Sequence, residues 1–287
     1  MALLAAAGTM LVIAAAPASA ATRHVRITWG INQRYWDQFR AKVTYAHGVR
    51  VYYDKTDDIP VSWPLFPQSP WATLSLRPSR GALLSGRLDR AIRRLVRSAP
   101  PHSQLTIDHE NIDGGGKANP LRYPPSIHNA VSFVRMQRHM ERLCKGTNVR
   151  FGVLAIGPVS GPAEKWIYGG DDWFGYDIYD NKLYWNRDGT LNERKLWGRL
   201  SGDLAAFRRI SGRRHPFITI GETNSPRDGH RANWFGYIAR WFDTHNGDTP
   251  ARVLTYWTPG GRLSGAWPPS RPVVRRLRYL SALYRGI

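Results

Sequence analysis

The sequence predicts an α/β chain folded as one (β/α)8 TIM barrel, and three observations predict it. Short β-branched or aromatic runs recur along the chain, each followed by loop residues and then a helical pattern, the signature of βα units on a parallel sheet. Eight such runs occur, the number that closes this barrel. The chain has 287 residues, enough for a leader and one barrel of about 250 residues, with little room for a second domain.

Residues 1–20 carry no charge, run apolar from Leu3 to Ala16 and finish Ala18-Ser19-Ala20, the small-x-small pattern of a signal-peptidase site. They are expected to be a signal peptide, leaving 21–287 as a single exported catalytic-type barrel domain. The apolar run is too short and alanine-rich for a membrane span, so no stable membrane insertion is expected.

The strands are expected near Val25 to Ile31, Val49 to Tyr53, Ala72 to Leu76, Leu105 to His109, Arg150 to Ile156, Phe174 to Ile178, Phe217 to Gly221 and Val253 to Trp257. Between them, apolar residues repeat at helical spacing. Leu88, Ile92, Leu95 and Val96 share one face, as do Ile127, Val131, Val134 and Leu143. Trp234, Ile238, Trp241 and Phe242 form a third such face, and Val274, Leu277, Leu280 and Tyr284 a last one, packing on the closing strand. All are expected to be core. Loops rich in Gly, Pro and Asp follow several strands, at 111–125, 157–172, 181–189 and 223–229. Long loops at strand C-termini imply a cleft on that face of the barrel. No repeat of 20 to 50 residues is present beyond the βα alternation.

Composition excludes several classes. With 42% hydrophobic and 12% aromatic residues the chain is globular, not disordered. The single cysteine, Cys144, rules out an intramolecular disulfide and is expected to be a buried helix residue. The nine histidines show no metal-ligand spacing, so neither a metal nor a cofactor is expected. Gly114-Gly115-Gly116 lacks the Lys-Ser or Lys-Thr of a phosphate-binding loop, and no Gly-x-Ser-x-Gly is present. The formal charge of +20 implies attraction to polyanions such as anionic wall polymer. Only seven of the 41 basic residues are lysine, which a GC-rich genome also produces. The basic residues form no tail or block, so nucleic-acid binding is not expected.

Two acidic residues carry the chemistry. Thr106-Ile107-Asp108-His109-Glu110-Asn111 takes an apolar strand into charge and puts Glu110 at the end of the fourth strand. Ile218-Thr219-Ile220-Gly221-Glu222-Thr223-Asn224 does the same for Glu222 at the end of the seventh. Two carboxylates converging on one cleft are the minimum machinery for cleaving a glycosidic bond: one protonates the leaving oxygen while the other attacks or stabilises the anomeric carbon.

These motifs resemble clan A of the glycoside hydrolases, nearest to family 26, the β-mannanases and related β-glucanases. His109-Glu110 resembles the family's His-Glu at the end of the fourth strand, and Gly221-Glu222-Thr223 its nucleophile segment. Tyr168-Gly169-Gly170-Asp171-Asp172 through Tyr176-Asp177-Ile178-Tyr179 resembles its Tyr-Pro-Gly-Asp segment and the strand that follows. The resemblance spans roughly residues 29–284. It implies a retaining hydrolase acting on a polysaccharide, with Glu110 as acid/base and Glu222 as nucleophile. It also implies that Tyr179 hydrogen-bonds the nucleophile, the alternative being an ordinary half-buried tyrosine, and that Trp257 floors the subsite of the reacting sugar, the alternative being core packing. His109 either orients sugar from the cleft wall or packs on a neighbouring strand. Asp172 is expected to be a structural or substrate-binding carboxylate. Asn111 and Asn224 flank the two glutamates, where hydroxyl groups need recognition. Trp173, Tyr184, Trp185 and Trp267 are candidate sugar-stacking aromatics, of which some are expected simply to be packed. Two departures stand out: Ile107-Asp108 replace the family's Arg-Pro, and Gly169 replaces a proline. Asp108 either raises the pKa of Glu110 or faces away and pairs with an arginine. An exported, monomeric enzyme is the expectation, with a non-catalytic carbohydrate- or wall-binding barrel as the alternative.

Overall fold

In the computed structural model the described residues are 27–33, 36–37, 41, 48–53, 55–66, 69, 71–108, 129–156, 158–159, 161–179, 182–224, 228–245, 251–254 and 271–283. Parallel strands alternate with helices: β1 (Ile27–Asn32), β2 (Gly48–Tyr52), β3 (Trp71–Leu76), α1 (Arg80–Leu84), α2 (Asp89–Arg97), β4 (Ser103–Ile107), α3 (Ala130–Cys144), β5 (Val149–Ile156), β6 (Trp173–Tyr179), α4 (Glu193–Ser211), β7 (Ile218–Asn224), α5 (Asp228–His245), β8 (Ala251–Leu254) and α6 (Arg271–Leu283). Strands pair in chain order, and β8 lies beside both β7 and β1, so the sheet curls round on itself. Each strand falls within a few residues of its expected place. No helix among the described residues is long and apolar enough to cross a membrane.

Both faces of the strands are covered, which is why they read as apolar runs without alternation. β3 and β4 are buried throughout. Outside the sheet, Phe174 and Tyr176 of β6 stack on Phe207 of α4, and α5 buries Trp234, Ile238, Trp241 and Phe242 completely, as expected. Two strand pairs share a device. Trp71 stands opposite Gly48 and Trp173 opposite Gly152, and in each case a Cβ on the glycine would overlap the neighbouring indole. The ring therefore lies flat over the adjacent strand's bare backbone.

Local signals explain the helix starts. Asn129 accepts a hydrogen bond from the Ser132 amide at 2.8 Å while the Ser132 hydroxyl takes the Asn129 amide at 3.2 Å, a capping box that begins α3. Asn192 caps α4 in the same way through the Lys195 amide. In α2 the residues on the inner side are Ile92, Leu95 and Val96, with Leu88 buried just before the helix. The face of α3 differs from expectation. Phe133, Met136, Met140, Leu143 and Cys144 are buried, Val134 is half-buried and Val131 is exposed. Ile127 lies outside the described residues. The larger Phe and Met side chains fill the space against the sheet and rotate Val131 to solvent. On α6 the buried residues are Val273, Leu277 and Leu280, Val274 being half-buried.

Candidate active site

The polar residues of the strands meet inside the curled sheet in two layers. In the lower layer the Thr73 hydroxyl donates to Gln104 Oε1 at 3.0 Å, and Gln104 Nε2 donates to Thr219 Oγ1 at 3.1 Å. The second bond joins β4 to β7, which are not neighbours, so it crosses the interior. In the upper layer Arg50 of β2, fully buried, reaches across to Asp177 of β6 at 3.5 Å and donates to the Gly221 carbonyl of β7 at 2.6 Å. Its guanidinium also lies over the Tyr52 ring.

Gly221 is where the β6–β7 register slips. Tyr176 pairs with Ile220 but Asp177 pairs with Glu222, leaving Gly221 as an extra residue on β7. A Cβ there would come within 2.6 Å of both Asp177 Oδ1 and Leu154 Cδ2, so a larger residue would have to displace one or both side chains. Arg50 takes the carbonyl that the slip frees from the ladder. Beyond the slip, Thr223 turns to the helix layer, where its hydroxyl accepts from Trp234 Nε1 at 2.7 Å. The segment Gly221-Glu222-Thr223 is thus fixed on both sides of Glu222, by Arg50 from within and by α5 from without.

The structure brings some expected site residues together. Glu222 and Asn224 lie at the C-terminal end of β7, register partners of Asp177 and Tyr179 at the same end of β6; for both, only the backbone is described. Tyr179 is half-buried. His109, Glu110, Asn111 and Trp257 lie outside the described residues, as does Trp267. Asp108, the last described residue after β4, is buried, holds a left-handed backbone with φ 45°, and bonds its amide to the Leu76 carbonyl at 2.9 Å. A non-glycine residue in that conformation is uncommon and tends to occur where a chain is re-aimed near a functional site.

Asp172 takes the structural one of its two expected roles, and Trp173 lies away from the cleft. Asp172 and Trp173 stand at the start of β6, on the rim opposite the strand C-termini. Asp172 accepts from the Phe151 amide at 3.0 Å. Trp173 is fully buried, with Nε1 donating to the Arg150 carbonyl at 3.0 Å. The motif that contains them leads into a strand, and a parallel strand's beginning lies on the stability face of such a sheet. Tyr184 is likewise no stacking platform: it is buried against Trp234, ring centroids 5.7 Å apart. Trp185 is half-buried and covered on one face by His230 at 3.7 Å.

Beside that opposite rim lie two buried acids of different kind. Asp171 is fully buried, and neither of its carboxylate oxygens has a hydrogen-bond partner among the described residues. Burial first, then the nearby Asp172 and Glu141 carboxylates, push its pKa well above the ordinary value, with Arg213 opposing. Cys144, the last residue of α3, is buried as expected, and burial raises its thiol, with a further push from Asp172. A thiol so held is not a nucleophile. Among the described residues no three His, Cys, Asp or Glu side chains come together to hold a metal ion.

Sequence reasoning missed Arg50, Gln104 and the interior role of Asp177. An arginine between two valines reads as the outward residue of an alternating strand; the signal for the other reading is that a strand between helices has no solvated face to send it to.

Comparison with protein-family models and with curated proteins finds no match. Solved structures do match in fold. The catalytic domain of a GH26 endo-β-1,4-mannanase from Bacillus sp. JAMB-750 superposes with a TM-score of 0.56 at 12% identity, over 91% of this chain and 87% of that one. A GH26 β-mannanase from Bacteroides ovatus gives 0.53 at 10% identity, over 91% and 90%. The endoglucanase Cel5A of Thermotoga maritima gives 0.53 at 9% identity, over 87% and 96%. The chain thus shares the parallel βα architecture of TIM-barrel glycoside hydrolases.

Proposed function

We propose that this chain is an exported (β/α)8-barrel glycoside hydrolase that cleaves β-glycosidic bonds of a polysaccharide with retention of configuration. The observation that carries the reading is the braced Gly221-Glu222-Thr223 segment, on a fold shared with mannanases and an endoglucanase. Such bracing suits a carboxylate that must hold position while a bond forms on it.

In the first step Glu222, ionised, attacks the anomeric carbon. The bond to the leaving oxygen breaks, and the proton of Glu110 passes to that oxygen. In the second step water attacks the glycosyl ester, giving its proton to the Glu110 carboxylate and releasing Glu222. This course needs the two carboxyl groups about 5 to 5.5 Å apart. Arg50, bonded to the Gly221 carbonyl, holds the backbone next to Glu222 in place. Tyr179 and Asn224, register partners at the strand ends, flank the nucleophile. His109, Asn111 and Trp257 complete the sugar site in this proposal, and the enzyme acts outside the cell as a monomer.

The test is a screen of the purified protein against mannan, β-glucan and xylan, with product analysis, beside Glu222→Ala. The expected outcome is sugar release from at least one polymer that falls by several orders of magnitude in the variant. If the unmodified protein releases no more than the variant does, the hydrolase reading fails and a carbohydrate-binding barrel replaces it.

A further inference from the structure

The outer wall of the molecule carries a cationic face that the proposed reaction does not use. With Ile92, Leu95 and Val96 turned inward, the other side of α2 is made of Arg90, Arg93, Arg94 and Arg97, all exposed. They stand three or four residues apart, so each guanidinium neighbours two others, and like charges at that spacing destabilise a helix. Three exposed arginines elsewhere do have carboxylates: Arg87 pairs with Asp57, Arg209 with Glu164 and Arg240 with Glu193. Among the described residues none of the four on α2 has one. The helix's own acid, Asp89, is engaged by His139 of α3 at 2.7 Å. The helix dipole favours cations in the last turn, which accounts for Arg94 and Arg97 but not for Arg90 and Arg93. Through the same contact α3 adds Arg142, 3.3 Å from His139, and the exposed Lys145 follows. The face spans roughly 10 Å along α2 at 1.5 Å per residue. A single small anion neutralises one or two of these groups; a repeating anionic chain neutralises the row.

We propose that this α2 face, with Arg142 and Lys145, is a binding surface for an acidic polysaccharide bearing carboxylates along its length. The choice of a polysaccharide rests on the proposed function. Because α2 runs from the C-terminal end of β3 back to the start of β4, the cluster lies toward the rim opposite the mouth. A polymer held there anchors the protein and leaves the cleft free.

Affinity electrophoresis of the intact chain in gels carrying polygalacturonate, neutral galactomannan or DNA tests this. The α2 variant is Arg90→Gln/Arg93→Gln/Arg94→Gln/Arg97→Gln. A control of equal net charge is Arg194→Gln/Arg214→Gln/Arg271→Gln/Arg275→Gln, all exposed and elsewhere. Polygalacturonate is expected to retard the unmodified protein and the control alike. The α2 variant should bind at least tenfold more weakly, with a shallower salt dependence, and melt no lower than the unmodified protein because repulsion has been removed. Equal weakening of both variants would reduce the effect to net charge, and no retardation of the unmodified protein would remove the site. DNA binding as tight as polygalacturonate binding would replace the partner with nucleic acid. Glu222→Ala should bind as the unmodified protein does, so the anchoring surface and the hydrolase reading stand or fall separately.

Discussion

Arg50 and Asp171 show how differently two buried charges are managed in one molecule. Arg50 has Asp177 and the Gly221 carbonyl; removing it takes the guanidinium from a buried carboxylate. Arg50→Met should therefore cost about 3 to 5 kcal/mol of stability, the usual result of breaking a buried pair from one side. Arg50→Met/Asp177→Leu should recover much of that in urea unfolding without restoring turnover, because the Gly221 carbonyl is still unsupported; full recovery of both would reduce Arg50 to packing. Among the described residues Asp171 has no such partner, and its raised pKa turns it into a pH-dependent liability. Below the unfolded value of 3.8 the group is protonated in both states and costs nothing. As pH rises past that value the unfolded chain ionises first, so folding loses stability until the raised folded pKa is passed. Asp171→Asn removes the charge at nearly the same shape. At pH 7 it should melt higher, by about 2 to 4 °C for each kcal/mol relieved, and near pH 4 the gain should vanish. A constant offset across pH in calorimetry would mean that ionisation of Asp171 is not the cause.

The elements were legible to different degrees, for physical reasons. The α5 face was plain because four large apolar residues repeat at helical spacing and all are buried. On α3 the same spacing admitted two faces, and side-chain volume chose between them, sending Val131 outward. Trp173 was misplaced because a motif beside a strand does not announce which end of the strand it touches. The glycine–tryptophan pairs were not legible at all, since Gly48 and Trp71 are neighbours only through register. That pairing makes a sharp test. Gly48→Ala drives a methyl into the Trp71 ring and should destabilise by about 1 to 3 kcal/mol, the range for overpacking. Adding Trp71→Leu to that variant should cost less than Trp71→Leu costs alone, as the methyl then fills space. Additive losses in denaturant unfolding would show that the two residues do not share one volume.

At the scale of the whole molecule, the reaction proposed here asks two strands that never pair to keep their ends a fixed distance apart. Glu110 follows β4 and Glu222 ends β7, with β5 and β6 between them. The Gln104–Thr219 bond crosses the interior and joins these same two strands. Gln104→Met leaves the Thr73 and Thr219 hydroxyls buried without their partner, at a cost of about 1 to 3 kcal/mol. If the crossing bond also sets the spacing of the carboxylates, kcat should fall by more than the stability loss explains, with KM nearly unchanged, since sugar binding at the rim is untouched. The stereochemistry reports on the same spacing. A separation near 5 Å leaves no room for water between nucleophile and sugar, so proton NMR of early product should show the β-anomer first, the α-anomer growing in only by mutarotation. An α-anomer at the earliest times would mean a gap wide enough for water, and Glu222 would then act as a base on that water instead of attacking the sugar itself.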